Sequence, residues 1–151
     1  VQAAEVMKHA MEVLRPHLEA GGNRVGAAGK VLIGTVAGDI HDIGKSIVGS
    51  LLSANGFDVK DLGTQVPTQR FVEEVRSYQP DIIGMSALIT TTMPAQKEVI
   101  EQLSESGLRQ QVKIVVGGAP TTGEWAKRIG ADAYGEDALA AVRICRELMA
   151  G

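Results

Sequence analysis

His41 stands between two carboxylates, Asp39 and Asp42, in a loop that reads Gly38-Asp39-Ile40-His41-Asp42-Ile43-Gly44. A histidine among carboxylates can move a proton, complete a nucleophilic triad or bind a metal, and the rest of the chain decides among these. Zinc held by protein alone needs further nitrogen or sulfur ligands. The other histidines, His9 and His17, lie in the N-terminal segment, and the one cysteine, Cys145, falls on the last predicted helix, away from this loop. A hydrolytic triad would need a nucleophile elbow, and Ser46 lacks the Gly-x-Ser-x-Gly frame. One histidine does suffice for a metal whose other positions come from a macrocycle. Asp39 would then accept the proton of the second ring nitrogen, fixing the tautomer and tuning the ligand's basicity. Taken singly, Asp39 and Asp42 also read as helix caps, and His41 as a solvated loop residue.

The elements that must position this loop are legible from hydrophobic period. Short β-branched runs alternate with amphipathic stretches, the pattern of βαβ units around a parallel sheet. Strands are predicted over residues 30–37, 57–62, 81–86, 112–117 and 131–134, and helices over 44–54, 68–78, 94–106, 122–129 and 137–149. Asn55-Gly56 reads as a helix C-cap, Pro67-Thr68 as a turn feeding an N-cap, and Ser106-Gly107 as the end of the third helix. Right-handed crossovers put helices on both faces. The expected fold is α/β: a flavodoxin-like (Rossmann-like) three-layer sandwich with a five-stranded parallel sheet in the order 2-1-3-4-5. Ligands of such sheets bind outside the carboxyl ends of the strands, where strand order reverses. Three loops are placed there: the histidine loop, Ser86-Ala87-Leu88-Ile89-Thr90-Thr91-Thr92, and Gly117-Gly118-Ala119-Pro120-Thr121-Thr122. None matches the spacing of a phosphate cradle, and Gly34 and Gly38 are not spaced as a dinucleotide fingerprint.

Composition narrows the function further. The 151 residues are 44% apolar, enough for one domain with its own core. A net charge of −3 with mixed signs gives no basic stripe for nucleic acid, and no apolar run approaches a membrane span. One cysteine excludes an intramolecular disulfide, and with no secretory signal in the first residues the expected location is cytoplasmic. Ahead of the sheet, Ala3, Met7, Met11, Leu14 and Leu18 share one helix face, widened by Val6, Ala10 and Val13. Pro16 should kink or end this helix, and residues 21–29 read as a glycine-rich linker. The chain opens on Val1 rather than methionine, so the start of a longer protein is expected upstream. Met7 and Met11 read as core, Trp125 and Cys145 as packed residues, and Lys45, Lys97 and Arg128 as helix-surface charges.

The three loops, in order, resemble the cobalamin (vitamin B12)-binding domain family, whose pattern is Asp-x-His-x-x-Gly, then Ser-x-Leu, then Gly-Gly. Here it stands as Asp39, His41 and Gly44, then Ser86 and Leu88, then Gly117 and Gly118. The resemblance spans roughly residues 30–149. Within the family, "GDIHDIGKSIV", "LGTQVPTQRFVEEV", "GMSALITTTMPAQKEVIE" and "VGGAPTT" look most like the corrinoid proteins of methyltransferase systems, related to the cobalamin domain of methionine synthase.

The resemblance implies a corrinoid bound base-off and His-on, with His41 as the lower axial ligand to cobalt. It implies a relay from His41 through Asp39 to Thr92, where the methionine synthase pattern has serine. It also implies a nucleotide tail in a slot beside Ser86, close to the backbone at Gly117 and Gly118, with Thr90 and the loop from Tyr134 to Ala138 along its upper part. Gly38, Ile40, Asp42, Ile43, Gly44 and Leu88 complete the expected contacts. Residues 1–20 are then the last helix of an N-terminal helical cap, 21–29 the linker and 30–151 the corrinoid-binding domain. The implied function is a methyl carrier, which accepts a methyl group on cobalt(I) from a donor-specific methyltransferase and passes it to a second methyltransferase with a folate or thiol acceptor. A reductive activation protein is a further implied partner. The alternatives are the small domain or subunit of an adenosylcobalamin-dependent mutase, a corrinoid-sensing regulator, and a flavodoxin-like domain without cofactor. Asp42-Ile43-Gly44-Lys45 and the Thr90 to Thr92 run resemble the methyltransferase branch.

Overall fold

Residues 28–150 are described by a computed structural model. Five strands alternate with five helices: β1 Gly29–Thr35, α1 Ile43–Ala54, β2 Phe57–Asp61, α2 Thr68–Tyr78, β3 Ile82–Ser86, α3 Met93–Glu105, β4 Lys113–Gly117, α4 Gly123–Ile129, β5 Ala133–Gly135 and α5 Ala138–Ala150. A short 3-10 turn at Arg109–Gln111, which no period announces, precedes β4. All pairings are parallel and the strand order is β2-β1-β3-β4-β5, so the reversal falls between β1 and β3. The helix expected over residues 1–20 and the linker over 21–27 lie outside the described residues. Gly29, expected as the last linker residue, instead opens β1 opposite Phe57.

Alternation along the strands builds two different faces. Leu32, Ile83, Met85, Ile114 and Val116 point to one side and meet Phe71, Val72 and Val75 of α2, Val99, Ile100 and Leu103 of α3, and Ala126 and Ile129 of α4. Each large aliphatic side chain buried here contributes about 1.5–3 kcal/mol of transfer free energy. Val31, Ile33, Ile82 and Val115 point to the other side, against Leu52 of α1 and Val142 and Cys145 of α5. The positions beyond these, toward the carboxyl ends, are small: Gly84 and Ser86 on β3, Gly117 on β4 and Gly135 on β5. One face is sealed by bulk, while the other runs out of side chain before the strands end.

Local signals fix the helix ends. Thr122 caps α4 by accepting the Trp125 amide at 3.0 Å, and Gly130 closes it in the left-handed region at φ 86°. At α2 the expected N-cap shifts by one residue. Pro67 occupies the cap with no side-chain hydrogen bond, and Thr68 is the first helical residue, its hydroxyl directed to Glu98 at 3.4 Å. The extended conformation that Pro67 adopts, φ −62° and ψ 146°, already supplies the entry geometry that a cap requires.

Candidate functional site

The histidine loop leaves β1 and is fastened at several points. Thr35 Oγ1 donates to the His41 carbonyl at 2.8 Å. The Asp39 amide donates to Val36 O at 3.1 Å, and the Asp39 carbonyl accepts the Gln65 amide at 2.9 Å. Gly38, at φ 83°, makes the reversal between them without steric cost. Asp39 is thereby placed beneath His41, 1% exposed.

All acceptor positions of the Asp39 carboxylate are used. Oδ1 accepts the His41 amide at 3.0 Å and faces His41 Nδ1 at 2.6 Å; Oδ2 accepts the Leu88 amide and the Thr92 hydroxyl, both at 2.7 Å. Burial pushes this carboxyl up, but the hydrogen bonds from Leu88, Thr92 and His41 outweigh burial and hold it well below the usual carboxylate range. An ionised Asp39 keeps a proton on Nδ1, so Nε2 of neutral His41 carries the free lone pair. The imidazole is 45% exposed and lines the mouth of a cleft. The single Thr92 proton also has Ile89 O at 2.9 Å, and the charged carboxylate is the stronger acceptor.

The cleft, about 550 Å³, lies on the small-residue face of the sheet between α1 and α5. Its floor holds Gly84, Ser86 and Gly117, and Ala138 and Ala141 form part of the α5 side. A Cβ on Gly84 would stand 3.2 Å from Ile33 Cγ2, and one on Gly117 3.3 Å from the Gly135 carbonyl, so even the smallest side chain would crowd its neighbours here and narrow the cleft floor. Gly118 is required differently. At φ 121° its Cβ would fall 1.8 Å from Ala87 O, a distance no rearrangement of side chains relieves. Around the mouth, Ile40, Ile43 and Leu88 remain 65%, 50% and 37% exposed, an apolar bed beside the imidazole.

Of the residues expected at the site, Ile40, His41, Asp42, Ile43, Gly44, Ser86, Leu88, Gly117, Gly118 and Ala138 all line this one cleft. Asp39 and Thr92 lie buried behind it, and a Cβ on Gly38 would stand 3.7 Å from the Thr92 methyl group. Two residues fall elsewhere. Thr90 is exposed outside the lining, because Ile89 to Thr92 turns into α3. Tyr134 pairs with Val116 and shares its face of the sheet, packing on the α2–α4 side, while Gly135, Glu136 and Asp137 reach the cleft instead.

Lys45 corrects the sequence reading. It is 6% exposed and lines the cleft, with Nζ 2.6 Å from Asp42 Oδ1 and paired also to Asp61 at the end of β2. Asp61 Oδ1 also accepts the Gly63 amide at 2.8 Å. The ammonium thus joins the start of α1 to the end of β2. Asp42 occupies the N-cap position but makes no capping hydrogen bond; it accepts the Ser46 hydroxyl at 3.0 Å instead. Lys97 and Arg128 are exposed, as read, and Cys145 is core. Trp125 is half-buried and packs on the α2–α4 side.

Among the described residues no cluster of His, Cys, Asp and Glu could hold a metal ion alone, and no helix is long and apolar enough to cross a membrane. The B12 binding domain family matches residues 29–143. Trimethylamine corrinoid protein 1 of Methanosarcina acetivorans is 50% identical over 147 residues, covering 97% of this chain and 68% of that protein. The monomethylamine corrinoid protein of Methanosarcina barkeri superposes with a TM-score of 0.77 at 41% identity, over 96% of this chain and 68% of that one. The methanol:cobalamin methyltransferase complex MtaBC of Methanosarcina barkeri matches with a TM-score of 0.79 at 37% identity, over 88% of this chain and 51% of that one.

Proposed function

This chain belongs to the B12 binding domain family, and on that premise we propose that it is a corrinoid-binding methyl carrier of a multicomponent methyltransferase system. The observation that carries the reading is the state of His41: Nδ1 is held by a saturated, ionised Asp39, which leaves Nε2 free above an apolar bed. A bound corrinoid supplies a cobalt centre that takes up and releases a methyl group; the protein orients and tunes it. Its residues suit that group on three counts. His41 offers one nitrogen for a base-off, His-on corrinoid. Ile40, Ile43 and Leu88 offer exposed apolar side chains at the mouth, and the glycine-floored cleft offers room for a long tail.

In this reading His41 would hold the cobalt through Nε2, and Asp39 would set its basicity by holding the Nδ1 proton. Thr92, with the Leu88 amide, keeps Asp39 charged and so keeps the proton on Nδ1 and the lone pair on Nε2. Ser86, Gly117, Gly118 and Ala138 line the path of the tail. Relatives named for trimethylamine and monomethylamine support a methylated amine as methyl source, held by a donor-specific methyltransferase. The likeness to a complex of corrinoid protein and methyltransferase supports that partner class. An acceptor methyltransferase using folate or thiol and a reductive activation protein complete the cycle. Residues 1–20, outside the described residues, belong on this reading to a helical cap domain.

The test is reconstitution with cobalamin and electron paramagnetic resonance of the cobalt(II) form. Wild-type protein should show nitrogen hyperfine splitting from an imidazole, and His41→Ala should lose it. Splitting that survives in His41→Ala removes the axial assignment, and wild-type protein that retains no corrinoid removes the function.

A further inference from the structure

Gln96 is 0% exposed, a polar side chain on the core face of α3 in line with Val99, Ile100 and Leu103. Every hydrogen-bonding atom of its carboxamide is engaged. Nε2 donates to Met85 O at 3.0 Å and to Gly117 O at 3.3 Å, and Oε1 accepts Trp125 Nε1 at 2.9 Å. The indole can only donate, so it fixes which end of the amide is oxygen. The two carbonyls belong to adjacent strands, at the level where β3 and β4 make their last pairing, Ser86 with Gly117. Beyond this pair only the Ala87 amide, 3.1 Å from Gly117 O, continues the ladder before the loops part. Met85 and Gly117 both line the cleft, whereas Gln96 and Trp125 approach from the opposite side of the sheet.

A methionine or leucine would fill this volume but leave the Trp125 Nε1–H without its acceptor, and a buried polar network is no stronger for stability than a core in which every partner is apolar. What an apolar residue could not do is hold two carbonyls of neighbouring strands at fixed separation. We propose that Gln96, oriented by Trp125, is a positioning residue that sets the gap between the ends of β3 and β4 and so the width of the cleft floor that receives the corrinoid's nucleotide tail. The proposal rests on the corrinoid reading above and adds a residue that touches neither ring nor tail.

The experiment compares cobalamin with cobinamide, which has the same ring and no nucleotide tail, by equilibrium titration of apo-protein followed in the visible spectrum. Wild type should prefer cobalamin. Gln96→Met, close in volume, should reduce that preference about tenfold, the effect of one lost hydrogen bond's worth of positioning, while cobinamide affinity stays unchanged. Trp125→Phe leaves Gln96 in place and frees its amide to rotate. It should shift the ratio the same way, by about threefold, and it carries the test if Gln96→Met melts too early to assay. Equal losses for both ligands would reveal a general weakening of the fold, and an unchanged ratio in both variants would show no positioning role; either overturns the proposal while the corrinoid reading stands. Wild-type protein that binds both alike overturns the proposal and leaves the corrinoid reading standing, whereas wild-type protein that binds neither removes both together.

Discussion

Thr92→Val should weaken the protein in a way that depends on pH, because it removes a donor from a buried charge and little else. At neutral pH Asp39 is ionised and four hydrogen bonds replace its lost water. A hydrogen bond to a charged group contributes about 1.5–3 kcal/mol, and this is the expected loss in unfolding free energy. The three donors that remain keep the loss from being larger. The folded-state carboxyl lies below its unfolded value of about 3.9, so its contribution is complete above that pH and disappears as the pH falls further. Removing Thr92 raises the folded-state value toward the unfolded one, which makes the acid limb of the stability curve shallower. The gap between wild type and variant should therefore be widest near neutrality. It should shrink to about 1 kcal/mol in acid, where a neutral carboxyl accepts an ordinary hydrogen bond. Both folded-state values lie below the unfolded one, so the gap closes only well below about pH 3.9, and urea unfolding of the apo-proteins from about pH 7 down to about pH 2 follows it. A difference that is the same at every pH would mean that Thr92 acts through packing alone, and the account of Asp39 as a saturated anion would be wrong.

Lys45→Met should cost about 1–3 kcal/mol in urea unfolding, less than a fully buried pair because Asp42 and Asp61 can rehydrate; a neutral result would show that the ammonium gains nothing from its two partners. Gly118→Ala should destabilise by more than about 3 kcal/mol, since its Cβ meets the Ala87 carbonyl, and a melting temperature close to wild type would contradict that backbone path. Gly84→Val should cost about 1–3 kcal/mol, because its side chain would crowd Ile33 Cγ2, while reducing cobalamin affinity at least about tenfold. Retained affinity would move the tail out of this cleft. Burial pushes the Cys145 thiol up to about 11, so its reaction with a thiol reagent should proceed only as fast as the protein opens; rapid labelling under native conditions would refute its place in the core.

The fold was legible because its period is strong: strand and helix positions follow from alternation, and every strand and helix predicted within the described residues is present to within two residues. The loops were legible because their residue types are unusual together, Asp39 and His41 above all. What escaped was information carried by distant partners. Lys45 reads as a surface lysine because the local sequence shows only Asp42, while Asp61 comes from the next strand. Tyr134 could not be assigned a side in a strand of three residues, since its phase comes from pairing with β4 rather than from its own alternation. Gln96 did carry a signal, a polar residue in register with the apolar stripe of α3, but its meaning depends on two carbonyls and an indole from other elements.

The unequal faces of the sheet have a consequence for how such a protein can change over generations. Along β3 and β4 consecutive residues serve separate ends: Ile83, Met85, Ile114 and Val116 decide whether the chain folds, and Gly84, Ser86 and Gly117 decide what it can hold. A stride of two thus divides one strand into two independently heritable traits. Substitutions at the small alternate positions therefore act first on what the cleft can hold, while changes on the other face act first on the core and reach the cleft only through residues such as Met85 and Gln96 that touch its floor.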